Sequence, residues 1–178
     1  MRIGVISDTH IPEAGPALPP QVYQALEGCD LIVHCGDIHD VKVLDWLERL
    51  APVVGCWGNG DREDTNRPRQ PDDPRMKDEQ VLEIAGLKIG LRHFYTFPDE
   101  AFSWMGLDAM MLKYFGGRMD VILSGHTHIA RIDEWKGTLL VNPGSPTLPR
   151  QMAGLGQVAL LEIEGGVPKA RIVELKEL

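Results

Sequence analysis

Thiol chemistry is scarce in this 178-residue chain. It has three cysteines, Cys29, Cys35 and Cys56, with no C-x-x-C pair and an odd one left over. That pattern excludes a zinc knuckle and a disulfide framework, so the three read as small buried residues. Long apolar runs are missing too. None approaches the roughly 20 residues that a helix needs to cross a bilayer, and the N-terminus MRIGVISDTH lacks the apolar core and small-residue cleavage site of a secretory leader. A cytoplasmic protein with no membrane partner is expected. Positive charge is in deficit as well: 18 Lys and Arg against 26 Asp and Glu leave a net charge of -8. Such a surface repels polyanions, which argues against a general nucleic-acid binder. A locally cationic site would have to come from bound metal. What remains, 43% hydrophobic and 25% charged residues, suits one globular domain over 1–178, with no internal repeat, low-complexity tract or linker.

RIGVIS (2–7), LIVHC (31–35) and PVVGCW (52–57) read as short buried strands, apolar and rich in β-branched residues. Between them, PPQVYQALEG and DVKVLDWLERL space their apolar residues as amphipathic helices do. This βαβαβ order predicts a parallel sheet core. After a polar, arginine- and proline-rich segment over 62–80, read either as a lid or as a solvated loop, VLEIAGLKIGLRH predicts a hairpin turning at Ala85-Gly86. EAFSWMGLDAMMLKYFGG predicts a helix stopped by its glycine pair. Two more hairpins follow, ARIDEWKGTLLVN and QVALLEIEGGVPKARIVEL, the latter turning at Gly165-Gly166, so the second half is expected to be mostly antiparallel.

Polar residues collect just after the expected strands: Asp8 and His10 in SDTH, Asp37 in CGDIHD, Asn59 in GNGD, His93 in GLRHFY, and His126 with His128 in GHTH. Ligands of open α/β sheets bind beyond the carboxyl ends of the strands, so these positions should converge. In an extended backbone, residues two apart point the same way, which would turn both members of D-x-H and of H-x-H toward one volume. Gly36, Gly58 and Gly125 would let the backbones approach. Carboxylate, amide oxygen and imidazole without thiolate suit Mn²⁺, Fe, Zn²⁺ or Ni²⁺. Seven donors exceed one zinc with an open position but fit two ions sharing a carboxylate. Two divalent ions bring about +4 against about -2 from Asp8 and Asp37. The expected substrate is therefore a small phosphate ester.

In this order the motifs D-x-H (8–10), G-D (36–37), G-N-x-D (58–61), His93 and G-H-x-H (125–128) resemble those of the calcineurin-like metallophosphoesterase superfamily. The likeness is to its small YfcE-type phosphodiesterase branch, related to the retromer vacuolar-sorting subunit. NPGSP at 142–146 resembles the segment that follows G-H-x-H in that branch. The resemblance implies an α/β (α+β) fold, a four-layer αββα sandwich of two packed mixed β-sheets flanked by helices. It also implies one metal ion on Asp8, His10 and His128, a second on Asn59, His93 and His126, and Asp37 as the bridge. Mn²⁺ leads as the metal, with Fe, Zn²⁺ or Ni²⁺ as alternatives. The activity implied is hydrolysis of phosphate diesters by a hydroxide between the ions, which makes Asp37, Asn59 and His126 catalytic as well as ligating. A non-catalytic scaffold subunit, as the retromer relatives are, and a phosphomonoesterase or nucleotidase with the same metals are the alternatives. A scaffold has no need to keep seven ligands in register. A homo-oligomer is left open.

The chain departs from the family pattern at two places. Gly60 stands where larger phosphatases carry a histidine beside the asparagine, and His93 is followed by Phe94 and Tyr95 where H-G-H is usual. Tyr95 is a candidate hydrogen-bond donor to substrate or leaving group; the alternative is an amphipathic ring with its hydroxyl in water. Phe94, Tyr95, Phe97, Phe102 and Trp104 could wall a pocket, although Phe102 and Trp104 fit better as the core face of the following helix. His34, inside a strand, reads as a satisfied core residue. His39, on the loop beside Asp37, is a candidate for orienting substrate, and Arg62 for clamping a phosphate.

Overall fold

The computed structural model describes residues 1–62, 70–100 and 105–178. The first 56 residues alternate as the apolar pattern predicts: β1 (Arg2–Ile6), α1 (Pro20–Leu26), β2 (Leu31–His34), α2 (Lys42–Glu48) and β3 (Val53–Cys56). β1 pairs in parallel with β2, and β2 with β3. A two-residue strand, β4 (Met76–Lys77), adds in parallel to β3. The hairpin of β10 (Gln157–Glu164) and β11 (Val167–Glu174) returns to the other edge, antiparallel to β1. The first sheet thus runs β11-β10-β1-β2-β3-β4.

The second sheet holds β5 (Glu79–Ile84), β6 (Leu87–Arg92), β7 (Val121–Leu123), β8 (Ala130–Trp135) and β9 (Thr138–Pro143), in the order β5-β6-β7-β9-β8. The expected hairpins are present, and Ala85 with Gly86 (φ 51° and 81°) and Gly165 with Gly166 (φ 57° and 77°) supply the two positive φ values that a tight hairpin turn demands. The centre of this sheet is nevertheless parallel: β6 pairs with β7 and β7 with β9. Helix α3 (Leu107–Phe115) makes the crossover from β6 to β7, and it ends at Gly116, left-handed at φ 75° and donating to Leu112 O. Phe102 and Trp104 lie outside the described residues, as does 63–69. The described part of 62–80 corrects the expectation of a lid or loop, because it contributes β4 and the start of β5.

Side-chain alternation along the strands makes the layers. Ile3 and Val5 of β1, Val33 of β2, Cys56 of β3 and Ala159 with Leu161 of β10 pack between the sheets against Ile89, Leu91, Val121, Leu123 and Val141. The intervening residues face outward. Ile6, Ile32, Val158 and Leu160 meet Val22 and Leu26 of α1 and Val43, Leu44 and Leu47 of α2. Ile122 and Leu140 meet Leu107, Met110 and Met111 of α3. The period of two along a strand therefore yields a four-layer αββα sandwich. All three cysteines are free and buried, as expected. Among the described residues no helix is long and apolar enough to cross a membrane.

Candidate metal centre

β1, β2, β3, β6 and β7 all end at one edge of the sandwich, and the loops that follow them carry Asp8 and His10, Asp37 and His39, Asn59, His93, and His126 and His128. The expected extended backbone is not what turns these side chains together. Asp8, His10, Asp37, His39, His126 and His128 all have positive φ, between 48° and 74°. Each D-x-H or H-x-H pair is presented by a left-handed twist at both positions, at about 1–2 kcal/mol per residue. The glycines do allow close approach: a Cβ on Gly125 would collide with Ser7 Oγ, and one on Gly58 with the Asp37 carboxylate.

Hydrogen bonds between distant segments hold these loops. The buried Asp61 carboxylate accepts from the backbone N–H of Asp37 (2.9 Å), His39 (2.9 Å) and Gly58 (2.8 Å), tying the loops after β2 and β3 together. Ser145 Oγ donates to Asp8 O (2.7 Å) and Thr147 Oγ1 to Thr9 O (2.9 Å). Asn142 Nδ2 donates to Gly125 O (2.7 Å). The NPGSP segment thus braces the D-x-H loop with its serine and the G-H-x-H loop with its asparagine. Asp61 and Ser145 stood inside quoted motifs, but nothing local in the sequence marks a carboxylate or hydroxyl whose partners are backbone groups of other loops.

Asp8 and Asp37 each anchor on backbone and face imidazoles; both Asp8 oxygens accept from His126 N, Oδ1 at 3.2 Å. Asp8 Oδ2 accepts from His126 N (2.9 Å), while Asp8 Oδ1 lies 3.3 Å from His128 Nε2 and 3.9 Å from both His10 and His93 Nε2. Asp37 Oδ1 accepts from Gly60 N (2.6 Å), and Asp37 Oδ2 is 3.5 Å from His10 Nε2 and 3.5 Å from His93 Nε2. His93 Nδ1 donates to Cys35 O (2.7 Å) and His128 Nδ1 to Leu148 O (2.8 Å), which leaves each Nε2 lone pair for the centre. Asn59 Oδ1 and His126 Nδ1 face each other at 2.9 Å, with the His126 ring edge-on to His93. Donor atoms of Asp8, His10 and His128 lie within 4.8 Å of one another, and so do those of Asp8, Asp37 and His93.

Two observations fit a cation between these groups. His10 Nε2 and His93 Nε2 are buried with no hydrogen-bond partner, an arrangement that costs free energy until a metal or proton arrives. The metal-free electrostatics point the same way. Burial alone would lower His93, but the Asp37 and Asp8 carboxylates beside it raise it to about 9. Asp8 is pushed up by burial, yet His10 and His128 hold it well below the usual carboxylate range. Burial lowers His128, and Asp8 more than offsets it. His126 is lowered, by burial first and then by the neighbouring His93, which Asp8 and Asp37 do not offset.

The other candidates fall into three groups. His39 sits at the centre: its ring is 4.1 Å from that of His10, and its donor atom lies within 4.8 Å of those of His10 and Asp37. Arg62 pairs with Asp78 at the rim of a cavity of about 160 Å³ that is lined also by Trp57, Asn59, Arg92, His93 and Phe94. Phe94 is exposed there, its ring edge-on to His126. Tyr95 corrects both of its expected roles: it is buried, packs in the core beneath α3, and donates its hydroxyl to Leu107 O (2.9 Å). Phe97 shares that core. His34 is the satisfied core residue expected, neutral because burial lowers it to about 3; Gly36 N donates to its Nδ1, and its Nε2 meets Thr9 Oγ1 (3.2 Å).

These shifts have opposite consequences with and without metal. In the metal-free protein, a His93 raised from its usual 6.5 to about 9 contributes stability that is complete below pH 6.5 and is lost as pH climbs through 9. A divalent ion needs the same imidazole neutral, so its stabilisation must grow over that window and its uptake must release protons. Thermal melts from pH 6.5 to 9 with and without Mn²⁺ should therefore diverge, the metal-free midpoint falling and the metal-induced increment rising. Parallel curves would remove the centre from metal binding. Ser145→Ala removes the donor to Asp8 O and the acceptor of Leu148 N (2.8 Å), so it should lower metal affinity and also lower the metal-free midpoint, at about 1–3 kcal/mol for each buried group left unpaired; isothermal titration and melting of both proteins check it.

Comparison with known proteins gives the family. The chain is 38% identical over 179 residues to a probable metallophosphoesterase of Methanocaldococcus jannaschii, covering 99% of this chain and 83% of that relative. A phosphodiesterase of the same organism is 27% identical over 173 residues, covering 92% and 94%. Among solved structures, Vps29 of Entamoeba histolytica complexed with zinc superposes with a TM-score of 0.68 over 98% of this chain and 99% of that one, at 23% identity, a likeness of fold. The model of the calcineurin-like phosphoesterase superfamily domain matches residues 1–166, and the chain, with its Asp and His groups gathered at the strand ends, belongs to that superfamily.

Proposed function

We propose that this protein is a phosphodiesterase working with two divalent ions, Mn²⁺ foremost, in the cytoplasm. The observation that carries the reading is the position of Asp37 Oδ2, 3.5 Å from the Nε2 of both His10 and His93. Two carboxylate oxygens are equidistant from a histidine of each expected set, and that of Asp37 is the nearer, Asp8 Oδ1 standing 3.9 Å from both. Asp8, His10 and His128 would hold one ion and Asn59, His93 and His126 the other. The ions, when bound, draw a nucleophile from water at neutral pH and offset the charge on the phosphate.

The chain's own groups then position and polarise. Asp61, Ser145 and Asn142 fix the ligand loops before substrate arrives, so little reorganisation is left for the reaction itself. Asn59, exposed at the mouth, and Phe94 border the cavity beside the centre, which has room for a substituent of the ester. Gly60 supplies no proton donor, and the Tyr95 hydroxyl is committed to Leu107. An alkoxide must therefore leave without a proton from either residue, which favours acidic leaving groups. Diester rather than monoester specificity is supported by the phosphodiesterase named among the relatives, and a reducing compartment by the free buried thiols.

Hydrolysis of aryl and alkyl phosphodiesters and of aryl monoesters with Mn²⁺ present tests this. Aryl diesters should be the fastest, and alkyl diesters should lack the roughly 10²–10⁴-fold help that a general acid gives. A chain faster on monoesters would instead be a phosphomonoesterase, and one inert to all of them a scaffold. Asp37→Asn should cost more activity than the roughly 10–100-fold typical of a residue behind the ligands, more than His10→Ala does, and should release both ions together. Near-normal turnover with two ions retained would remove Asp37 from the bridge.

A further inference from the structure

The loop that carries Asp37 repeats the loop that carries Asp8. Asp8-Thr9-His10 follows β1 and Asp37-Ile38-His39 follows β2, its parallel neighbour. The two D-x-H segments stay hydrogen-bonded side by side beyond the strands. Asp8 N donates to Gly36 O (2.9 Å), His10 N to Asp37 O (3.1 Å) and Ile11 N to Ile38 O (3.2 Å). Aspartate and histidine are left-handed in both loops, with φ of 53° and 48° in the first and 54° and 64° in the second. This pairing sets the His39 ring edge-on against His10, with centroids 4.1 Å apart.

His39 is also mounted as His93 and His128 are. Its Nδ1 lies 2.9 Å from Glu13 Oε2, just as those of His93 and His128 are held by carbonyl oxygens. An Nδ1–H anchored on oxygen presents the Nε2 lone pair, and a carboxylate anchor makes that nitrogen a stronger ligand. The side chain is buried, and one donor atom each of His39, His10 and Asp37 lie within 4.8 Å of one another. One clamp sets both members of the motif, because the two oxygens of Asp61 accept from the backbone N–H of Asp37 and of His39. Gly60 leaves the space: a Cβ there would collide with His39 Nε2. The glycine in place of a histidine is thus the clearance for an imidazole arriving from the neighbouring loop.

We propose that His39 Nε2 is a further ligand of the metal centre, sharing with His10 and Asp37 the ion on that side, and that Glu13 is the residue that orients it. The assignment rests on the metal reading above and extends it to a residue outside the superfamily's motif order.

Calorimetric titration of the metal-free 178-residue chain with Mn²⁺, alongside Glu13→Gln and His39→Ala, tests it by a readout independent of turnover, and steady-state kinetics of the same variants supply KM. Glu13→Gln should weaken one ion by about 10–100-fold, the usual cost of removing a ligand's anchor, and His39→Ala by at least as much, the other ion being held nearly as before. The Glu13 side chain is 43% exposed, so that variant keeps its fold even if His39→Ala does not; metal-free melting curves of both check this. Unchanged Mn²⁺ affinity in both variants, with only KM raised, would overturn the assignment and make His39 a substrate contact while the metal reading stands. A parent that binds one ion, lost from His39→Ala, would sink the two-ion reading and keep His39. A parent that binds none would sink both.

Discussion

Left-handed backbone at six non-glycine residues is the constraint on which the site depends. Asp8, His10, Asp37, His39, His126 and His128 all occupy it, and each would relax to an ordinary conformation if its loop were free. At about 1–2 kcal/mol apiece, the sum is comparable to the whole stability of a typical folded protein. Such strain persists only where the surroundings over-determine the geometry. Here the loops spring from strands buried on both faces, and Asp61, Asn142, Ser145 and Thr147 close them with hydrogen bonds at 2.7–2.9 Å. The apolar layers thus serve as the frame against which the polar edge is bent.

That bending produces a second conflict, an electrostatic one. Two carboxylates and several imidazoles are brought within a few ångströms of one another, with two Nε2 atoms buried and unpartnered. A proton relieves the conflict partly, which is why His93 is raised to about 9, and a divalent ion relieves it more completely. With such an ion bound, the site would attract anions within a chain of net charge -8, the positive charge coming from the metal rather than from lysine or arginine.

The layered architecture was legible because burial writes itself into pattern. Strands such as Ile3–Ile6 and Val121–Leu123 are apolar on both faces, and Ala85-Gly86 and Gly165-Gly166 mark the turns of the β5–β6 and β10–β11 hairpins without ambiguity. The expected donors could be picked out because each stands a few residues beyond a strand end, and the structure groups Asp8, His10, Asp37, His93 and His128, with Asn59 and His126 facing each other beside them. The parallel trio β6-β7-β9 was not legible, since hairpin signals show which neighbours in sequence pair but not which strands meet across a crossover. β4 escaped because its pairing is set by the edge of β3, where Gly55 N donates to Arg75 O and Trp57 N to Lys77 O, rather than by its own polar surroundings. The left-handed loops, the Asp61 clamp and the Tyr95 bond to Leu107 are all contacts between distant segments. For His39 a signal did exist, the second D-x-H at 37–39, but its force appears only once the two loops are seen to run in register.

The central claim, that one carboxylate oxygen of Asp37 joins two ions, is tested most directly by anomalous X-ray scattering from crystals of the chain grown with Mn²⁺. The account predicts two peaks about 3.5–4 Å apart, one on the side of His10 and His128 and one on the side of His93, Asn59 and His126, with Asp37 Oδ2 between them. A single peak at saturating Mn²⁺, or two peaks with Asp37 turned away from either, would contradict it.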